Sequence, residues 1–396
     1  MMDFTVRKMD TKASGISVAR TIEEIEALRP EWEALQGPFL TSDIDFFLTY
    51  LRYARGVVRP HVVHVQQDGL HGLLVGRVQD QRLPAKLGYA TVSNPRVRTL
   101  VIAYGGVMGG AHAATAPDLV DALWRSVSPR EADLVRVRML EPGSAFHTAA
   151  TERAPRLRLD RLAEPLPHWR SALPGTLDEF LARRKKKVRW QARRDVANLQ
   201  EVYGDELAVR VFRTADGLDR LFEDSAAVHR TTYQSALGVG FSTSELHRRL
   251  TELTMERGWF RGYVLYLREK PVAFCHGNVY RNTFGLDATG FDPAYAESRP
   301  GGFLLMRLIE DLCADETAHT FDFGFGDATY KRQLGDESWL EQDVSVWAQR
   351  ARPIRLGLTR TALAGANTAA RALLRRGGLV TSARRKWRTR AARRGS

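Results

Sequence analysis

Phe321-Asp-Phe-Gly-Phe-Gly-Asp-Ala-Thr-Tyr-Lys-Arg-Gln-Leu-Gly335 opens as a short aromatic strand, breaks at Gly324 and turns into a segment carrying Asp327, Tyr330 and Lys331. Asp322 alternates with Phe321 and Phe323, so on a strand it faces away from both rings. A carboxylate in a central strand is either paired or functional. An acid, a phenol and an ammonium close to a strand end are the groups that acyl transfer uses. Upstream, Arg299-Pro-Gly-Gly-Phe-Leu-Leu305 reads as a turn that opens a helix.

Length and composition bound the rest. A chain of 396 residues predicts two to three domains, and 44% apolar residues suffice for packed cores. No run of 18 apolar residues occurs, and the N-terminus lacks the apolar core of a signal peptide. The two cysteines, Cys275 and Cys313, read as small buried hydrophobes without a disulfide, so a cytoplasmic protein is expected. The net charge of +13 is local. From residue 350 onward there are 14 Arg or Lys and no acid, leaving 45 basic against 46 acidic residues elsewhere. The body is near neutral, which removes the charge argument for a nucleic-acid binder.

A short lead over 1–15 is followed by a capped helix from Thr21 that Pro30 must bend or interrupt, and by a second helix from Ser42. Strands about Asp68-Gly69 make a hairpin. Further strands are expected at 87–92 and 100–104, then a helix from 116 and a strand from 132. A similar order recurs: a long basic helix over 177–199, a strand at 207–212, helices at 214–231 and 242–256, and three strands between 262 and 289. A helix over 301–314, a strand over 320–323 and a last strand over 341–347 complete it. The reading is two copies of one mixed α/β unit, with the boundary near 165 in Pro165-Leu-Pro167.

The C-terminal copy resembles the GNAT acyltransferases, in the version found in bacterial Fem-like proteins and cellulose-biosynthesis (CelD-type) acetyltransferases. The residues that carry this are the basic helix Leu181-Ala-Arg-Arg-Lys-Lys-Lys-Val-Arg-Trp-Gln-Ala-Arg-Arg194, the strand ending Gly277-Asn-Val-Tyr280, Pro293-Ala-Tyr295, Pro300-Gly-Gly-Phe-Leu-Leu305 and Asp322-Phe-Gly-Phe-Gly-Asp327 with Tyr330-Lys331. The resemblance implies an α/β (α+β) fold of tandem GNAT-like units, each a mixed twisted sheet flanked by helices. It implies a lead over 1–15, a degenerate first unit over 16–165, an acyltransferase unit over 166–349 and a basic tail over 350–396. The implied activity is transfer of an acyl group, acetyl in the simplest case, from acyl-CoA to an amine. Cell-envelope, polysaccharide or secondary metabolism are its settings. No metal is implied.

A helix start offers free N–H groups and a positive dipole end to phosphate. Arg299, Gly301 and Gly302 are therefore the candidates for holding the donor's pyrophosphate, with Lys331 as a further anion contact. Leu304 stands where the family has a small residue. The resemblance makes Tyr330 the acid for the leaving group, while packing is its other reading. Asp322 is the candidate base or the residue that orients Lys331. His276, in a central strand, is a candidate catalytic group or a satisfied core histidine. His229 and Asp287 are secondary candidates, Asp287 as a catalytic carboxylate or a bulge residue, and Asp327 reads as a turn former.

Arg183 to Arg194 holds eight Arg or Lys in twelve residues. That is a solvated helix or a groove for an anionic donor or acceptor. The tail mixes leucines with arginines and suits an anionic membrane surface at the inner face. Expected partners are an amine-bearing small molecule or envelope precursor, with nucleic acid only where tRNA is the donor. Two other readings stand beside acyl-CoA-dependent transfer. One is a Fem-like aminoacyltransferase that uses aminoacyl-tRNA; the other is a non-catalytic scaffold that binds an anionic partner.

Overall fold

Thr21 caps the first helix through the Glu24 amide while Glu24 reaches back to the Thr21 N–H, so local chemistry starts the fold as the sequence predicts. The computed structural model describes residues 15–376 except 68–69, 88–89, 110–114, 161 and 233–239. Of the expected lead over 1–15 only Gly15 is described, as the first residue of a strand; residues 1–14, the Asp68-Gly69 turn and the tail after 376 lie outside the described residues. The chain divides into two units. The first runs to Pro165 and takes in Gln342–Asn367; the second is built on Leu166–Glu341.

In the first unit the strands are β1 (Gly15–Ala19), β2 (Val57–Gln67), β3 (Leu70–Arg82), β4 (Ala85–Leu87), β5 (Ala90–Ser93), β6 (Arg96–Met108), β7 (Leu134–Leu140) and β8 (Leu159–Asp160). β1, β2, β3 and β6 pair antiparallel in that order, and β6 pairs with β7 in parallel. Helices α1 (Ile22–Glu26), α2 (Arg29–Leu35) and α3 (Ile44–Tyr53) cover one face through Trp32, Phe47, Val62 and Leu73. Pro30 does not kink one helix. It sits in the first turn of α2, where its missing N–H costs nothing. Helices α4 (Ala116–Ser126) and α5 (Ala145–Arg153) cover the other face through Leu119, Leu123, Leu74, Ile102 and Val137.

The second unit orders its strands β9 (Leu166–Ala172), β14 (Thr320–Phe325), β13 (Thr283–Phe291), β12 (Lys270–Tyr280), β11 (Phe260–Leu267) and β10 (Leu207–Phe212). Only β13 and β14 pair in parallel. Helices α6 (Leu177–Ala182), α7 (Lys186–Tyr203) and α10 (Pro300–Cys313) pack on the face of Tyr263, Cys275, Phe284, Phe321 and Phe323. Helices α8 (Leu218–Thr231) and α9 (Glu245–Glu256) pack on the face of Val264, Tyr266 and Phe274. Helix α9 starts later than Ser242 predicts because Ser244 is its cap. A short helix α11 (Thr329–Leu334) follows β14. The expected single helix over 177–199 is broken between α6 and α7, where buried Arg184 bonds Asp336 and Ser171 and lies over Phe180.

Strand β15 (Glu337–Trp347) begins before the predicted 341. Its residues 337–341 pair with β9, and its later residues pair with β7 in the first unit. The next element, α12 (Ala351–Arg376), does not begin as a free tail. Arg352 bonds Asp133 at 3.0 Å, Leu356 joins Leu83, Val97, Leu134 and Trp347, and Gly357 lies so close to Trp347 that a Cβ would stand 2.8 Å from its ring. Among the described residues no helix is long and apolar enough to cross a membrane.

Truncation before Ala351 should therefore lower stability. It removes Arg352, the nearer guanidinium partner of buried Asp133, worth about 1–3 kcal/mol given that Arg352 is half in water. Truncation after Arg376 should leave the denaturant midpoint unchanged. Equal midpoints for the two truncated chains would contradict the docking of α12.

Candidate active site

Strands β13 and β14 are hydrogen-bonded only over Thr283–Gly285 and Thr320–Asp322, and then part, although β13 continues to Phe291 and β14 to Phe325. Two irregularities turn them aside. β13 carries an extra residue, Asp287, because His276 faces Ala288 while Gly277 faces Leu286. Such a bulge bends its strand and sharpens its twist. Gly277 is required there, since a Cβ would stand 2.3 Å from the Phe284 ring and 2.4 Å from the Gly285 carbonyl. On the other side β14 slips against β9 between Asp322 and Gly324, and Gly324 takes a left-handed φ of 70°. The result is a gap flanked by two strand edges.

Asp322 holds the departing strand. Its Oδ1 accepts the Gly324 N–H at 2.7 Å and the His168 Nε2–H at 2.6 Å, and its Oδ2 accepts from Arg170 Nε at 3.1 Å. The other His168 nitrogen donates to Glu341 Oε2 at 3.0 Å, and Glu341 Oε1 accepts from Trp339 Nε1. His168 stacks on Trp339 at 4.4 Å, and Arg170 lies over that ring. His168 is only 1% exposed, and burial alone would push its pKa down. The bonds and charges of Asp322 and Glu341 outweigh that, so its pKa is raised and the protonated ring is favoured. For Asp322, burial pushes up, but His168, Arg170 and the Gly324 amide hold the carboxyl below its usual value. Two carboxylates and two cations thus neutralise one another.

These contacts correct two expectations. Asp322 has its lone pairs committed and orients His168, not Lys331. Lys331 donates to the Gly324 and Phe325 carbonyls at 3.3 and 2.9 Å. Burial lowers its pKa, partly offset by Asp322. Asp327 pairs with Arg332 on the turn. His168 itself was missed, because its strand follows Pro165 and Pro167 and reads as a boundary. The alternation of His168 with Arg170 was the available signal.

Tyr330 stands on the opposite face. Its ring meets Phe323 of β14 edge-on at 6.2 Å and packs against the core that includes Cys275 of β12. Burial, with a contribution from Cys275, pushes its pKa up to about 12. Its hydroxyl makes no hydrogen bond among the described residues. On the other face Asp287 is exposed, two positions past Gly285, the last β13 residue paired to β14. Its charge reaches His247 of α9. His276 is not poised for proton transfer. It is 2% exposed, bonds Ser225 at 2.9 Å and is ringed by Phe241, Phe260 and Phe274, and burial lowers its pKa to about 3. His229 contacts Phe241 edge-on, and burial lowers its pKa.

The start of α10 is not a clear anion cradle. Arg299 precedes it in a left-handed conformation and faces Asp195 of α7 at 3.5 Å. A Cβ on Gly302 would stand 3.0 Å from the Asp195 carboxylate, and one on Gly301 would press on the Phe291 ring at 3.2 Å. A carboxylate already faces this positive helix end. Leu304 is fully buried in the core, which explains the departure at that position. The structure therefore brings Tyr330 and Asp287 to the gap but leaves Arg299, Gly301 and Gly302 beside an acid, and it directs Lys331 elsewhere.

A family model described as an acetyltransferase (GNAT) domain matches residues 186–332. No curated protein matches the sequence. Among solved structures, FemX is similar, with 11% identity over 81% of this chain and 96% of its own and a TM-score of 0.54. L-PGS from Bacillus licheniformis has 15% identity over 87% and 96%, with a TM-score of 0.47. A tandem GNAT protein from the clavulanic acid biosynthesis pathway has 11% identity over 85% and 99%, with a TM-score of 0.42. The likeness to FemX is one of fold. Residues 186–332 thus match a GNAT domain model, and the chain shares the fold of FemX.

Buried His168 sets a pH dependence. Because its folded pKa is raised, its stabilisation is whole below the ordinary histidine value of about 6.5 and is lost as pH rises through the folded value. The stability difference between wild type and His168→Gln, read by urea denaturation, should therefore be largest at mildly acid pH, about 3–5 kcal/mol, and shrink toward mildly alkaline pH. A difference that does not change with pH would contradict this assignment.

Proposed function

We propose that the second unit transfers an acyl group to an amine, with the acyl carbonyl seated in the gap between β13 and β14. The observation that carries this is the parting of the two strands after three residue pairs, with Tyr330 on one face and Asp287 on the other. The outward N–H and C=O groups of β13 beyond Gly285 offer hydrogen bonds to an extended acyl chain and to the carbonyl oxygen. The amine approaches from the Asp287 face. Its nitrogen forms the new bond to the carbonyl carbon, and Asp287 takes its proton. The bond from that carbon to sulfur or oxygen breaks, and Tyr330 protonates the departing atom.

On the donor, the first reading is acyl-CoA. Its acyl-pantetheine end suits a slot between strand edges. Its pyrophosphate end fits the α10 start poorly, because Asp195 faces Gly302 and Arg299. That observation favours a second reading, an acyl ester carried on a polyanion such as aminoacyl-tRNA. Two others agree with it. A phenol with a pKa near 12 is matched to an alkoxide better than to a thiolate of ordinary pKa about 8.5. On α7, Lys186, Lys187 and Arg194 are exposed beside Trp190, which is itself 54% exposed with Arg194 over its ring. The acceptor is an amine-bearing small molecule or envelope precursor. The residues after Arg376 are proposed to meet an anionic membrane surface at the inner face.

The test is product formation with pooled amines and either acetyl-CoA or charged tRNA. Tyr330→Phe and Asp287→Asn should each lower kcat about 10²- to 10⁴-fold with an unchanged melting temperature. Full activity in both variants would reject the assigned roles. Turnover of acetyl-CoA alone supports the first donor and of charged tRNA alone the second, while turnover of neither would sink the acyl-transfer reading. Truncation after Arg376 should reduce binding to phosphatidylglycerol vesicles; unchanged binding would exclude the membrane contact.

A further inference from the structure

In the first unit, Arg77, Val101, Arg136 and Ser345 are register partners across β3, β6, β7 and β15. Partners in register share a face, and neighbouring strands lie about 4.8 Å apart. The face is the one opposite Leu74, Leu100 and Val137, which point into the core under α4 and α5. Arg138 is two residues beyond Arg136 on the same strand.

The charges here are out of balance. Arg138 Nε is 3.4 Å from Asp343 Oδ1, and Arg136 Nε is 3.9 Å from Asp343 Oδ2 and 3.3 Å from Ser345 Oγ. Arg77 has no carboxylate partner among the described residues. Its Nε donates to Gln79 Oε1 at 2.8 Å, and its guanidinium lies 4.0 Å over the Tyr50 ring. Arg360 and Asp160 form a further loose pair at 3.7 Å that Arg136 also feels, and Arg360 Nε is buried without a hydrogen bond. Four guanidiniums thus face two carboxylates, a local charge of +2. The side chains of Arg136 and Arg138 are 16% and 36% exposed, so they are partly desolvated yet within reach of solvent. Burial pushes the pKa values of Arg77 and Arg136 down, and the charge of Arg138 pushes in the same direction on each.

A structural cluster would carry matching carboxylates, since like charges in a partly dry site destabilise the fold. Guanidinium forks on neighbouring strands match the several oxygens of a phosphate. We propose that Arg77, Arg136 and Arg138 bind a phosphate dianion, free or as part of an organic phosphate, with Asp343 orienting Arg138 and Tyr50 bracing Arg77. A carboxylate ligand would leave one positive charge uncompensated; a dianion leaves none. The inference does not depend on the chemistry of the second unit.

Calorimetric titration of the full chain with inorganic phosphate, pyrophosphate and ADP tests it. Binding to wild type is expected, and Arg77→Gln and Arg138→Gln should each weaken it about tenfold or more. Without ligand, Arg138→Gln should melt at or above the wild-type temperature, because a like charge has been removed. Asp343→Asn should melt lower and bind phosphate more tightly. Tighter binding of ADP than of the inorganic ions would assign an organic phosphate, and the reverse order a free one. Either order supports the site. No binding to wild type, or unchanged affinity in the arginine variants and in Asp343→Asn, would overturn it.

Discussion

Three residue pairs hold β13 to β14, and the second unit depends on what happens where they end. Backbone N–H and C=O groups that leave a sheet must find other partners. On β14 they do so within the protein. The Asp322 carboxylate takes the Gly324 amide, and the Lys331 ammonium takes the Gly324 and Phe325 carbonyls. On β13 the bulge at Asp287 turns the strand aside and leaves its outward edge for a ligand. One strand edge is thus closed by side chains while the other is not, and the proposed donor slot rests on that asymmetry.

The closed edge is expensive in charge. Asp322 is matched by His168 and Arg170, and Asp322 and Glu341 together raise the pKa of His168. Trp339 fixes the ring planes of both cations. Truncating any one of these side chains leaves a buried charge unmatched. The network therefore holds β14 where it departs. Tyr330 and Asp287, by contrast, make no side-chain hydrogen bond among the described residues.

Much of the fold was legible in the sequence, because it rests on local signals. The Thr21 capping box, the alternation of β2 and β3, the Pro300-Gly-Gly helix start and the break at Gly324 each appear where the residues put them. The recurrence of element order led to two mixed α/β units, and the chain does divide into two. The site was only half legible. That Asp322 must be paired or functional followed from burial alone, but its partner His168 lies 154 residues away, and Glu341 is 173 residues from His168. No local pattern encodes such pairs. His276, read as a catalytic group or a satisfied core histidine, and Arg299 stayed open for a related reason. Sequence places them on the correct strand and helix start, yet Ser225, the aromatic ring around His276 and Asp195 decide what they can do, and all come from other elements. Asp287 was read as a bulge residue or a carboxylate for catalysis; it is at the bulge, and its exposed position there is what fits it to the second part.

The central claim is that the acyl donor lies along the open edge of β13. Amide hydrogen exchange, read by mass spectrometry with and without the donor that the protein turns over, tests it directly. Half of the amides in residues 286–291 point away from β12 and have no strand beyond them. The account predicts that donor binding slows exchange in this segment, while 283–285, already paired to β14, changes little. Unchanged exchange over 286–291 under saturating donor, with protection elsewhere in the chain, would contradict it.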